Sequence, residues 1–335
     1  MKAIRVKKPA SLDNLQVGEA EKPSPGNGQI LVKAAASSLN YHDYAVVSGA
    51  LPVDDGRIPM SDVAGEVVEI GDGVSEFAVG DKVMGTFFPK WLSGEPNLAI
   101  TWGYIPGDSI DGYACEFVCG AETAFTHIPN NYSMEEAASL PCAAVTAWRA
   151  LVTEGNLKAG ETVLLQGTGG VSIFALQLAK SIGATVIITS SSNEKLEKAK
   201  KLGADHVINY KETEKWGKAA AKLCPLGGVD HVVEVGGSGT LAQSIEACRP
   251  GGHISMIGIL TGFAGEVPTA SIMMKQLKVK GITVGTRQDQ QDLVRALNAS
   301  SIKPVIDSSY PLEKIADAFR HQESQKHFGK ICLSY

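Results

Sequence analysis

The chain has 335 residues, 44% hydrophobic and 20% charged, with a formal net charge of −5. A single core stops growing at roughly 250–300 residues, so two domains are expected. The acidic balance argues against general nucleic-acid binding, which needs a basic surface, and no apolar run approaches the ~20 residues of a bilayer span.

In chain order, Met1-Lys2-Ala3-Ile4-Arg5-Val6-Lys7-Lys8 has no long apolar stretch and no cleavage site, so no signal peptide and a cytoplasmic location are expected. Residues 1–125 read as mostly β, with short runs at 30–33 and 65–70 between Gly, Pro and Asp. Asp72-Gly73 and Gly80-Asp81 read as turns. Residues 88–112 are irregular, and their Trp91, Trp102 and Tyr104 could wall a cleft or meet a second subunit. Ser133-Met134-Glu135-Glu136 has the form of a capping box, and a second helix is expected over 143–154. From Glu161 strands and helices alternate, which predicts a parallel sheet wrapped by helices. The strands are placed at 162–166, 185–189, 206–209, 229–235, 253–257 and 280–285, with helices at 171–181 and 194–202. The tail reads as a strand near 305–306, a helix over 312–321 and a last strand near 330–333 that completes the first domain. The six cysteines, at 115, 119, 142, 224, 248 and 332, form no C-x-x-C pair and read as reduced thiols.

The most informative stretch is Glu161-Thr-Val-Leu-Leu-Gln-Gly-Thr-Gly-Gly-Val-Ser172. A strand runs into a glycine-rich turn that opens a helix, which is how a chain cradles a dinucleotide pyrophosphate. Gly167 permits the tight turn, Gly169 lets the backbone approach the phosphates, and Ser172 is small enough for close helix–sheet packing. The N–H groups of Gly170 and Val171 then face phosphate oxygens from the positive end of the helix. NAD-binding chains usually carry an acid about 20 residues further on, to hold the ribose hydroxyls. Here the second strand ends in Thr189, Ser190, Ser191 and Ser192, followed by Lys195. Hydroxyls and an ammonium suit a 2′-phosphate that a carboxylate would repel, so the expected cofactor is NADPH.

Several ordered motifs run the length of the chain: Leu39-Asn40-Tyr41-His42-Asp43, Ser61-Asp62-Val63-Ala64-Gly65-Glu66, Gly80-Asp81-Lys82-Val83, Leu140-Pro141-Cys142-Ala143-Ala144, Leu202-Gly203-Ala204-Asp205 and His327-Phe328-Gly329-Lys330. In these the chain resembles the zinc-independent, quinone-oxidoreductase-like branch of the medium-chain dehydrogenases/reductases. The resemblance implies an α/β architecture. A GroES-like β-barrel catalytic domain (1–142 and 286–335) would accompany a Rossmann domain with a doubly wound parallel sheet (143–285). It further implies that Lys195 and Tyr210 flank the 2′-phosphate, and that Thr146 and Gly169–Val171 lie along the pyrophosphate. Gly236, Ile257 and Gly258 would line the nicotinamide ribose, and Phe328, Gly329 and Lys330 would reach the cofactor from the tail. Arg287 would join them through Val284-Gly285-Thr286-Arg287, which is similar to a Gly-Ser-Arg segment of relatives with Thr in place of Ser. A homodimer is implied too, with 257–260 and 272–274 as its apolar candidates.

Zinc-dependent relatives place ligands near positions 40, 61–62 and 142. This chain has Asn40, Ser61, Asp62 and Cys142 there, a poor set for a metal that wants about three N or S ligands, so no metal is expected. Without a Lewis acid an alkoxide has no stabiliser, whereas hydride addition to a conjugated acceptor spreads charge onto a distant oxygen. The expected activity is therefore NADPH-dependent reduction of a quinone or α,β-unsaturated carbonyl, with Asn40 and Tyr41 as hydrogen-bond donors and Tyr44 as a weaker one. The alternatives are a zinc-type alcohol dehydrogenase acting on a small alcohol or aldehyde, and a dinucleotide-binding protein without catalysis.

Overall fold

The structure, a computed structural model, describes residues 1–335, the side chain of residue 99 excepted. The chain divides into two compact units, Met1–Val145 with Val284–Tyr335, and Thr146–Thr283.

The first unit is predominantly β. Strands β1 (Lys2–Val6) and β2 (Leu15–Glu19) form an antiparallel pair. The main sheet is built on β3 (Gln29–Ser38), β4 (Ala64–Ile70), β5 (Lys82–Gly85), β6 (Phe117–Ala121) and β7 (Phe125–His127). Two C-terminal strands, Ile306–Pro311 and Lys330–Ser334, are parallel to each other, and the second pairs antiparallel with β3. The tail thus supplies two strands to this sheet. The core contains Ile30, Val32, Val67, Val83, Phe125, Phe319 and Leu333. The strand read at 305–306 is longer than expected, running Ile306–Pro311.

Two features of this unit were not anticipated. A helix, Tyr41–Val47, interrupts the β pattern, its start held by Asn40 N–H donating to Asp43 Oδ2 at 3.0 Å. In residues 88–112 a helix (Leu98–Thr101) and a 3₁₀ turn (Trp102–Tyr104) stand where an irregular loop was read. The expected capping box is present, with Glu136 N–H donating to Ser133 Oγ at 3.1 Å and Ser133 N–H to Glu136 Oε2 at 2.8 Å. The helix expected over 143–154 is present and continuous from Leu140 to Thr153, α-helical over Val145–Trp148 and π-helical on either side of it.

In the second unit six parallel strands, β8 (Thr162–Gln166), β9 (Thr185–Ser190), β10 (His206–Asn209), β11 (Val229–Glu234), β12 (Cys248–Met256) and β13 (Lys278–Gly281), lie in the order β10-β9-β8-β11-β12-β13. This is the doubly wound 3-2-1-4-5-6 order, whose switch point falls between β8 and β11. Strands β8 and β11 are buried throughout because helices cover both faces. Helix Gly170–Ile182 packs Ile173, Phe174, Leu176 and Leu178 inward. The last strand is shorter and earlier than the expected 280–285. Val284 adopts φ +48°, which a strand cannot, so the chain turns there. The two C-terminal strands of the first unit are numbered β14 and β15.

Candidate functional site

Parallel strands deliver their C-terminal ends to one edge of the sheet, and the candidate cofactor residues of the second unit collect there. Gly167, with φ +71° and open space where a Cβ would project, makes the turn after β8. Gly169 is the N-cap of helix Gly170–Ile182, and no side chain caps it. The N–H groups of Gly170 and Val171 thus lie at the start of a thirteen-residue helix, where the backbone carries its positive end.

On the β9 side, Ser190 ends the strand just before Ser191, and its carbonyl accepts the Tyr210 N–H at 3.1 Å. This bond brings Ser190, Ser191 and Tyr210 together. Ser192 caps the next helix, Asn193–Lys201, by accepting the Lys195 N–H at 3.3 Å, which sets Lys195 in the first turn beside them. On the other side of the switch point, the Glu234 carbonyl accepts the N–H groups of Ile257 at 2.8 Å and Gly258 at 3.2 Å. Gly236, Ile257 and Gly258 are therefore neighbours at the ends of β11 and β12. Gly258 has no room for a side chain, since a Cβ would sit 2.2 Å from the Val235 carbonyl oxygen. Thr146 is buried at the start of this unit.

The remaining expected cofactor residues belong to the first unit. Arg287 is buried, with its Nε donating to the Phe125 carbonyl at 3.0 Å and its guanidinium paired with Glu76. It opens helix Arg287–Asn298, whose cap is Thr286: Asp289 N–H donates to Thr286 Oγ1 at 2.9 Å and Thr286 N–H to Asp289 Oδ2 at 2.8 Å. Thr serves this cap as Ser would. Phe328 and Gly329 precede β15; Phe328 N–H is held by Asp307 Oδ1 at 2.9 Å, and Gly329 lies against Val305.

Lys330, expected at the cofactor, is also tied into the first unit. Its ammonium turns into the first unit and donates to the Leu39 carbonyl and to Asn40 Oδ1, both at 2.6 Å. It also stands 3.8 Å from Asp62 Oδ2. Asn40 passes the contact on, its Nδ2 donating to Asp62 Oδ2 at 2.8 Å and to Ser61 Oγ at 3.3 Å. Ser38 Oγ adds a further bond to Asp62 Oδ2 at 2.7 Å. Because Lys330 has no acceptor, the carboxamide oxygen of Asn40 must face it and the NH₂ must face Asp62. Both amide hydrogens of Asn40 are thus directed at Ser61 and Asp62. Burial pushes the Asp62 carboxyl up to about 6, against the pull of the Lys330 ammonium, and burial likewise raises that of Asp43.

The neighbouring aromatic groups divide differently. Tyr41 is half exposed. Tyr44 donates to Glu323 Oε1 at 2.6 Å, and that bond raises its hydroxyl to about 12. His42 lies 3.4 Å from Asp108.

This cluster is a poor receptacle for zinc. Asn40 and Ser61 offer neutral oxygen or nitrogen, an ammonium already stands beside Asp62, and burial holds the Cys142 thiol well above its ordinary range, away from the thiolate zinc prefers. Among the described residues no group of three or more His, Cys, Asp and Glu is placed to hold a metal.

The comparisons with known proteins agree with this architecture. Residues 26–130 match the alcohol dehydrogenase GroES-like domain and residues 170–299 the zinc-binding dehydrogenase domain. A zinc-type alcohol dehydrogenase-like protein of Schizosaccharomyces pombe is 42% identical over 97% of this chain and 96% of its own length. The chain belongs to the medium-chain dehydrogenase/reductase family. It is an oxidoreductase of that type, with a GroES-like unit and a Rossmann unit. The quinone oxidoreductase of Rattus norvegicus is 30% identical over 99% of this chain and 96% of its own. The crystal structure of a putative alcohol dehydrogenase from Sinorhizobium meliloti 1021 matches all of this chain and 98% of its own, at 38% identity and a TM-score of 0.94.

Sequence reasoning missed Glu234. It ends β11, is fully buried, and its carboxylate lies at the switch point. The signal available was an acid closing an otherwise apolar run, Val232-Val233-Glu234-Val235.

Proposed function

We propose that this chain is an NADPH-dependent, metal-independent reductase that transfers hydride to a quinone or an α,β-unsaturated carbonyl. The observation that carries the metal-free reading is the Lys330 ammonium, bonded to Asn40 and standing 3.8 Å from Asp62 where zinc-dependent relatives gather their ligands. It supplies a fixed positive charge to the buried carboxylates, and a divalent cation would have to displace it. The kinship with a quinone oxidoreductase supports the choice of acceptor.

The dinucleotide fits the second unit. The uncapped helix start at Gly169–Val171 would take the pyrophosphate, and Ser190, Ser191, Lys195 and Tyr210 the 2′-phosphate end. When bound, the cofactor supplies the hydride; the protein orients it and excludes water. Tyr41, half exposed beside the polar cluster, is the proposed donor to the oxygen on which charge develops, and Asn40 acts through the cluster instead. An alcohol dehydrogenase reading would need a zinc-ligand set that Asn40 and Ser61 do not provide.

The subunit proposal is a homodimer. Strand β13 lies at the edge of the six-stranded sheet beside β12, and Leu260, Phe263, Met273 and Met274 of the same unit are exposed.

The deciding experiment measures NADPH and NADH oxidation against a panel of quinones and enones, alongside alcohol oxidation, before and after chelation. Quinone or enone reduction that prefers NADPH and survives chelation is expected, and Lys195→Ala should remove most of that preference. A clear preference for NADH, or alcohol oxidation abolished by the chelator together with stoichiometric zinc, would overturn the proposal.

A further inference from the structure

Two helices start at the switch point, and their N-termini are treated differently. The helix Gly170–Ile182 has no side-chain cap, whereas helix Ser238–Ala247 begins against the buried Glu234 carboxylate. Glu234 Oε1 accepts the N–H groups of Gly236 at 2.7 Å and Gly237 at 2.9 Å, and the Thr240 hydroxyl at 2.6 Å. A carboxylate already occupies that positive end, so an external phosphate would meet repulsion there and attraction at Gly169.

The other carboxylate oxygen faces β8. Glu234 Oε2 accepts Gln166 Nε2 at 2.6 Å and the Ser244 hydroxyl. Gln166 is the residue before the Gly167 turn, and it reaches back across the switch point. Its Oε1 accepts the N–H groups of Val235 and Gly236, each at 3.2 Å, and its own carbonyl accepts the Ser172 hydroxyl at 2.7 Å. One buried pair thus joins the turn after β8 to the loop after β11. Every donor in it meets an acceptor, which makes its geometry unique: a buried polar network tolerates no partial match.

A dinucleotide in this sheet has its pyrophosphate over the β8 turn and its adenosine towards β9, so its nicotinamide half must cross to the β11 and β12 side. We propose that Gln166 and Glu234 are positioning residues that set the Val235–Gly237 loop in register with the phosphate turn, and so govern the nicotinamide half of the cofactor alone. This inference rests on the cofactor reading given above.

Exchange of the pair offers a direct test. Glu234→Gln places an NH₂ against other donors and should release the loop. In the double variant Q166E/E234Q the matches return. The carboxamide oxygen now at position 234 can accept from Gly236, Gly237 and Thr240, while the carboxylate now at position 166 accepts from Val235, from the new NH₂ opposite and from Ser244. Binding is read by fluorescence titration of the whole protein with NADPH and with adenosine 2′,5′-bisphosphate, which lacks the nicotinamide half. Glu234→Gln should weaken NADPH by about tenfold or more (a tenfold change is about 1.4 kcal/mol) with the bisphosphate within about twofold, and the double variant should recover most of the loss. Thr240→Val, which deletes one donor and disturbs the fold less, should show the same split at roughly threefold. Equal loss of both ligands in these variants, unchanged NADPH binding, or a double variant no better than Glu234→Gln would overturn the inference. Wild-type protein that binds neither NADPH nor NADH would instead bring down the cofactor reading, and this inference with it; if NADH binds in place of NADPH, the same split is measured with NADH and ADP.

Discussion

Replacing Lys330 by Met removes a cation in contact with a buried cluster that holds two carboxyl groups. Methionine matches the four-atom stem of the side chain but leaves the Leu39 carbonyl and Asn40 Oδ1, both 2.6 Å from the ammonium, without that donor. It also leaves Asp62, fully buried, without its counter-charge. Breaking a buried pair by removing one partner costs about 3–5 kcal/mol. At roughly 2–4 °C per kcal/mol for a unit of this size, the apparent Tm should fall by about 6–20 °C near pH 8. The cost must depend on pH, and its sign follows from linkage. In the wild-type fold burial raises the Asp62 carboxyl to about 6, above its unfolded value of ~3.9. The folded state therefore holds the proton more tightly, and stability falls as pH rises from about 4 through about 6. Lys330 lowers that raised pKa, so the variant should push it higher still and steepen the loss towards pH 8. Asp43 is raised by burial and lowered by Lys330 in the same way, and adds in the same direction. The assay is thermal unfolding of wild type, Lys330→Met, Asp62→Asn and the double variant at pH 5 and pH 8. Lys330→Met should be less costly at pH 5 by at least ~1 kcal/mol, and adding Asp62→Asn should restore part of the stability at pH 8. A penalty identical at both pH values, or a double variant less stable than Lys330→Met at pH 8, would refute the charge argument.

Three other outcomes are expected. Gly258→Ala drives a Cβ to within 2.2 Å of the Val235 carbonyl, and because the obstacle is backbone the loop after β11 must move; NADPH affinity should drop by tenfold or more in a titration, and unchanged affinity would contradict the placement of that loop at the cofactor. Tyr41→Phe should lower kcat by roughly 10–100-fold with KM for NADPH little changed, as loss of a donor to a developing oxyanion implies; an unaltered kcat would remove Tyr41 from the chemistry. Substituting Met273 and Met274, 72% and 70% exposed, by Lys should convert a dimer to monomers in sedimentation equilibrium; a wild-type monomer, or a variant that stays dimeric, would show that this rim is not the interface.

Much of this was legible in the residues alone. The alternation from Glu161 onwards predicts a parallel sheet because strand and helix periods are local properties, and five of the six strands lie within a few residues of their expected places or extend them. The glycine-rich turn is equally local: Gly167 takes a positive φ, and the next helix starts where the spacing put it, within one residue. The missing acid after β9 and the missing zinc ligands at positions 40 and 61 are matters of residue identity, independent of the fold. What the tertiary structure decided are contacts between residues far apart in sequence. Nothing in the tail sequence announces that the Lys330 ammonium is bonded to Asn40, 290 positions away. Glu234 reads as the end of a strand until it is found joined to Gln166, 68 positions away. Val284 looks like a strand residue until its φ of +48° turns the chain out of the sheet. Propensity and spacing act within a few residues, whereas a buried charge must find its partner wherever the fold supplies one, because leaving it unpaired costs several kcal/mol.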